Sequence, residues 1–161
     1  MRKLLYRMKI YFVALMSRKR ADRYFQSDGD VTKIVGWFLS QDGMTSRKLS
    51  AFCYLAYAWG LAVAGKEIAP FQFIKSKDGP VDPRIIKTFG LNDKPMVNLD
   101  KPELSELEER FLQGLYSKYK DTSGKEMMKE LKCHLPYKCA EDKIGKQEMF
   151  FFYSCVLLQV M

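Results

Sequence analysis

Three groups of residues have the types that chemistry needs. Cys133, His134 and Cys139 offer two thiols and an imidazole, the donors that hold zinc. Their spacing matches no knuckle or finger, and His134 is the only histidine, so no metal site is expected. Glu103, Glu106, Glu108 and Glu109 could serve acid/base chemistry or hold a cation, yet they cluster where a helix should begin. Carboxylates suit the positive end of a helix dipole, so a solvated face is the expectation. Asp28-Gly29-Asp30 has the opening of a calcium loop without its later ligands. His134 has no neighbouring nucleophile in a known local signature and stands just before Pro136, so it is expected to cap or to hydrogen-bond. There is no phosphate loop, dinucleotide glycine motif or Gly-x-Ser-x-Gly elbow. Nothing here points to an enzyme, and no catalytic residue, cofactor or metal is expected.

The charge is uneven. Of the net +8, residues 1–26 hold eight basic side chains against Asp22 alone, a net of +7, which leaves +1 for the rest. On a helix, Leu5, Met8, Phe12, Leu15 and Met16 share one face, with Arg2, Lys3, Arg7 and Lys9 mostly away from it. This basic amphipathic arm is expected to pack on its own domain or on a second copy; an acidic partner, anionic lipid or nucleic acid are the other readings. It does not read as a signal peptide, because Arg7 and Lys9 interrupt the apolar run and Ser17-Arg18-Lys19-Arg20 stands at the cleavage position. With no export signal, Cys53, Cys133, Cys139 and Cys155 read as reduced thiols of a cytoplasmic protein.

The elements that must position any site are helical. Asp28 or Asp30 can cap a helix with Val31, Ile34, Val35 and Phe38 on one face. Thr45 or Ser46 can cap the next, which carries Leu49, Phe52, Cys53, Ala56, Gly60 and Val63. Residues 49–65 hold no charge, and their Tyr, Gly and Ala content suggests a central buried helix rather than a membrane span. Residues 71–74 allow a small strand or an extended crossing. Residues 91–101 form a loop. Leu104, Leu107, Phe111 and Leu115 mark a long helix, Ser123 and Glu126 make a capping box, and residues 143–161 form a last helix. Its segment 149–158 is apolar on every face and must be buried, in this core or against another chain. The expected fold is mainly α: one compact helical domain over residues 27–161 with a central buried helix and room for one short strand pair, preceded by the arm 1–26.

One stretch is stiffer than the rest. In "KDGPVDPRIIKTFG" (77–90), Gly79, Pro80 and Pro83 restrict the backbone to a corner. Asp82 can cap a short helix with Pro83 at its first position and Gly90 as a left-handed stop.

Three stretches together resemble the Panacea domain, the family of SocA-like antitoxins and GepA-type phage-associated proteins. In "RKLSAFCYLAYAWGLAVAGK" (47–66), Lys48, Leu49, Tyr54, Ala56, Trp59, Leu61, Ala62, Gly65 and Lys66 resemble the family's signature helix. Gly79-Pro80-Val81 and Pro83 resemble its Gly-Pro-Val-x-Pro element, and His134, Pro136 and Tyr137 a late segment whose usual Trp is here Tyr137. Ser50, Ala51 and Tyr57 depart from the pattern, and Lys75-Ser76 replaces the usual Ala-Trp, which removes a large aromatic from beneath the corner. The resemblance covers roughly residues 27–161 and not the arm.

The resemblance implies a mostly helical domain that neutralises a cognate protein toxin encoded beside it, by direct binding in a type II system. On the residues themselves, the corner would present Lys75, Lys77, Asp78, Gly79, Pro80 and Asp82 as a pre-ordered ledge for that partner; alternatively it only reverses the chain over the central helix. Two other functions stay open: a proteolytic adaptor that delivers the toxin to an ATP-dependent protease, and a nucleic-acid-binding regulator that uses the basic arm. Self-association through the N- or C-terminal apolar helices is compatible with each.

Overall fold

The structure, a computed structural model, describes residues 30–90 and 100–160. The expected arm 1–26, Asp28 and most of the loop 91–101 lie outside the described residues.

The described chain is mainly helical, with seven helices and one two-stranded antiparallel sheet. α1 (Val31–Gln41) is capped by Asp30, whose carboxylate accepts from the Thr32 N–H at 2.8 Å. It buries Ile34, Val35 and Phe38 as the period predicts, and Trp37 and Leu39 besides. α2 (Ser46–Ala64) is capped by Thr45 and stops at Gly65, whose left-handed φ of 66° needs no side chain to be accommodated. α2 is the central helix: every residue from 49 to 58 is buried. Among the described residues, no helix is long and apolar enough to cross a membrane.

The remaining elements surround α2. β1 (Ile74–Ser76) pairs with β2 (Gly79–Val81) in the register Ile74 to Val81, Lys75 to Pro80 and Ser76 to Gly79. The strand therefore begins where residues 71–74 were expected to end. The corner is the second arm of a hairpin because Gly79, at φ 136°, lets the chain turn back within two residues. Pro80, which has no N–H to donate, sits on the strand without an outer neighbour, while the other side of β1 is bridged by Ile74 to Lys143. α3 (Pro83–Phe89) follows, capped by Asp82 and ended by Gly90.

α4 (Glu106–Tyr119) starts at a Ser105–Glu108 capping box. That box draws Glu108 inside, where it is fully buried, so the expected solvated face of glutamates is corrected at this residue. The inward face of α4 is Leu112, Leu115 and Tyr119, rotated from the expected stripe at 104, 107, 111 and 115. α5 (Gly124–Cys133) opens on the expected Ser123–Glu126 box and buries Met127, Met128 and Leu131. His134 separates it from the short α6 (Leu135–Cys139).

α7 (Lys146–Val160) lies along α2. It buries Met149 and Tyr153 but leaves Phe151 49% exposed and Phe150, Phe152 and Leu158 half-buried, so of the two expected covers, this core or another chain, the core supplies one face only. Glu67 fastens the two helices: its Oε1 accepts from Tyr57 Oη at 2.9 Å and pairs with Lys146 Nζ at 2.8 Å.

The hairpin is seated by contact rather than by sheet area. A β-carbon at Gly79 would lie 2.5 Å from Met128 Sδ, at a φ that side chains rarely adopt. Gly79→Ala is therefore expected to lower stability by about 2 kcal/mol, read as a lower urea midpoint with an unchanged slope.

Candidate functional site

The structure sorts the six expected ledge residues into two groups. Lys77 is exposed at the hairpin tip, and Lys75 and Asp78 are half-buried beside it; Gly79, Pro80 and Asp82 are buried.

The surface group is braced from three elements. Arg47 of α2 donates to Asp78 Oδ1 at 3.2 Å. Lys132 of α5 donates from Nζ to the Lys77 carbonyl at 2.8 Å. Lys75 reaches past the end of α6, donating to the Ala140 carbonyl at 2.9 Å with its ammonium 5.1 Å from the Tyr137 ring centre. The Tyr137 hydroxyl donates to the Ser76 carbonyl. Inside the turn, the Ser76 hydroxyl donates to the Gly79 carbonyl at 2.8 Å and accepts from the Asp78 N–H at 3.2 Å.

Asp82 is a correction to the ledge. Its Oδ1 accepts from the Arg84 N–H at 2.9 Å and from Arg84 Nε at 3.0 Å; its Oδ2 accepts from the Gln72 N–H at 2.8 Å and from Arg84 Nη2 at 2.6 Å. Burial alone would raise its pKa, but these bonds outweigh burial and hold the carboxyl below its ordinary value. All of this carboxylate's capacity is used inside the fold, where it joins the start of α3 to Gln72 in the extended segment before β1. It supports the ledge and does not face a partner.

The three stretches that carry the family resemblance meet at this place. Arg47 belongs to the first, the hairpin is the second, and Tyr137 belongs to the third. Tyr137 is bonded to Ser76 and its ring lies under the Lys75 ammonium. Spacing does not single out Arg47 or Lys132 as braces; only their charge was legible.

His134 lies outside the ledge. It ends α5, and its Nδ1 is 2.9 Å from the Tyr153 hydroxyl, with its ring 4.9 Å from that of Phe152. Tyr153 packs edge-on against Trp59. The histidine thus links the end of α5 to α7 by a hydrogen bond, as expected. Burial pushes its pKa down; Glu130 opposes that and Lys138 adds to it. Burial likewise raises the Tyr119 hydroxyl to about 12, with Glu130 acting in the same direction. Cys53 is buried, Cys155 half-buried and Cys133 and Cys139 exposed. Among the described residues, no cluster of three His, Cys, Asp or Glu side chains is arranged to hold a metal.

Compared with family models, curated proteins and solved structures, the chain matches none.

Two measurements check these assignments. Asp82→Ala removes a helix cap and leaves the Gln72 N–H without its acceptor, so a loss of about 2–3 kcal/mol is expected in urea unfolding. For His134 the folded pKa lies below the unfolded value near 6.5, so burial of the neutral ring stabilises the fold fully above that pH. That contribution is lost as pH falls from about 6.5 through the folded pKa. His134→Gln should flatten the urea midpoint across this window, whereas loss at Asp82 belongs to lower pH, below the unfolded aspartate pKa.

Proposed function

We propose that this chain is the antitoxin of a type II toxin–antitoxin system, neutralising a protein toxin by direct binding with the hairpin tip at the centre of the contact. The class of function rests on the resemblance to the Panacea domain. The observation that supports the place is the bracing of a two-residue turn from α2, α5 and α6 at once, through Arg47, Lys132 and Tyr137. A turn that only reversed the chain would not need three outside supports. A loop held in one shape before binding loses little freedom on binding, so more of the contact energy appears as affinity. In this reading Lys77 and Asp78 contact the partner, Lys75 supports them from below, and Gly79, Pro80 and Asp82 set the backbone.

Co-expression of the full chain with each adjacent open reading frame that is toxic alone is the test. Restored growth together with a co-purifying complex is expected, and Lys77→Glu with Asp78→Lys should weaken that complex at least about tenfold by reversing charges at the contact. Restored growth with no complex and with disappearance of the toxin would instead favour the proteolytic adaptor. If no neighbour is neutralised, the antitoxin function is wrong.

A further inference from the structure

A basic stripe borders the hairpin tip. Lys125, Lys129 and Lys132 are exposed at i, i+4 and i+7 of α5, a run of about 10 Å at the helical rise. They lie on the flank of α5 next to Met128, the residue on which Gly79 is seated, so the stripe runs directly into the tip and its Lys77.

Asp42 and Asp121 act on Lys48 at the Lys125 end, and the other carboxylates nearby are already used or lie on the other flank. Asp78 is held by Arg47, and Glu126 accepts from the Ser123 N–H and hydroxyl in its capping box. Glu130, one turn beyond Glu126, lies on the other flank and acts on Tyr119 and His134. Among the described residues no carboxylate pairs with Lys77, Lys125, Lys129 or Lys132.

Two helix ends add to the same potential. The first turns of α2 and α5 meet so closely that a β-carbon on Gly124 would lie 2.6 Å from the Lys48 nitrogen. Beside that meeting point is a cleft of about 440 Å³ lined by Thr45, Lys48, Ser123 and Lys125, with Asp42 as its carboxylate. Both helices turn their positive ends toward the Lys125 end of the stripe.

We infer that this stripe docks an acidic helix of the protein partner, with carboxylates at i, i+4 and i+7 meeting Lys125, Lys129 and Lys132 while the helix end abuts Lys77. That the partner is a protein rests on the proposed function; the charge and spacing do not. A helical row of carboxylates repeats at the same interval as the lysines, which lets each pair form without bending either chain. A nucleic-acid strand is the poorer fit, because the rings that border the stripe, Tyr116 at the cleft and Tyr137 at the tip, are half-buried and buried and offer no open face on which bases could stack.

The probe is a labelled, alanine-based helical peptide carrying Glu at i, i+4 and i+7, titrated with the full chain by fluorescence anisotropy at low and moderate salt. Binding that weakens with salt, and at least about tenfold in Lys129→Glu/Lys132→Glu, is expected. Reversal in the arm, Arg18→Glu/Lys19→Glu/Arg20→Glu, should leave it unchanged. Lys132 also braces Lys77, so Lys125→Glu/Lys129→Glu, which breaks no bracing bond, decides if the first variant loosens the hairpin. No binding, insensitivity to the stripe, or dependence on the arm would overturn the inference. Tighter binding of duplex DNA through the same lysines would overturn the acidic helix as occupant. The titration needs no toxin, so its failure leaves neutralisation standing, and a failure to neutralise leaves the peptide result intact.

Discussion

A helix with no charge along its middle has no side on which to meet water. From residue 49 to residue 58 every position of α2 is buried, and the rest of the described fold follows from the need to cover it all round. Ala51, Ala56, Ala58, Gly60, Ala62 and Ala64 keep its surface shallow, so neighbours can approach closely. Phe52, Tyr54 and Tyr57 then meet aromatic rings from outside: Phe52 stacks with Phe38 of α1, and Tyr54 packs edge-on against Phe73. Even the hairpin is held in relation to this helix, through Arg47 at its first turn.

Most of that arrangement was legible in the sequence because it rests on local rules. The Asp30, Thr45 and Ser123 caps and the Gly90 stop are short-range chemistry, as is the uncharged run that marks the central helix. What escaped was decided at longer range. Ile74 joins β1 because its partner strand is supplied by the corner itself, which no period in residues 71–74 announces. Glu108 is buried because Ser105, not an earlier residue, starts the helix, and that choice rotates the whole apolar face.

The candidate site divides in the same way. That Gly79, Pro80 and Pro83 make a stiff corner follows from their backbone limits alone. That Asp82 turns inward does not, since an aspartate at a helix cap is as often wet as dry; Arg84 and the Gln72 N–H decide it. The braces on the tip come from residues 31 and 55 positions away along the chain, Arg47 and Lys132, and from Tyr137 farther on. Only folding brings such residues together.

The contact of Gly124 with the backbone of Lys48 has a consequence for what position 124 can hold. Elsewhere in the fold a side chain can be exchanged for another of similar volume, because neighbours relax around it. Here the obstacle is main chain, so any residue with a β-carbon would push the starts of two helices apart and tilt α5 with the tip it carries. The lysines and the tyrosine carry no such constraint, whereas position 124 admits only glycine without that shift. A glycine directly after a serine cap, opposite the first turn of the central helix, is thus dictated by main chain and not by the packing of any side chain.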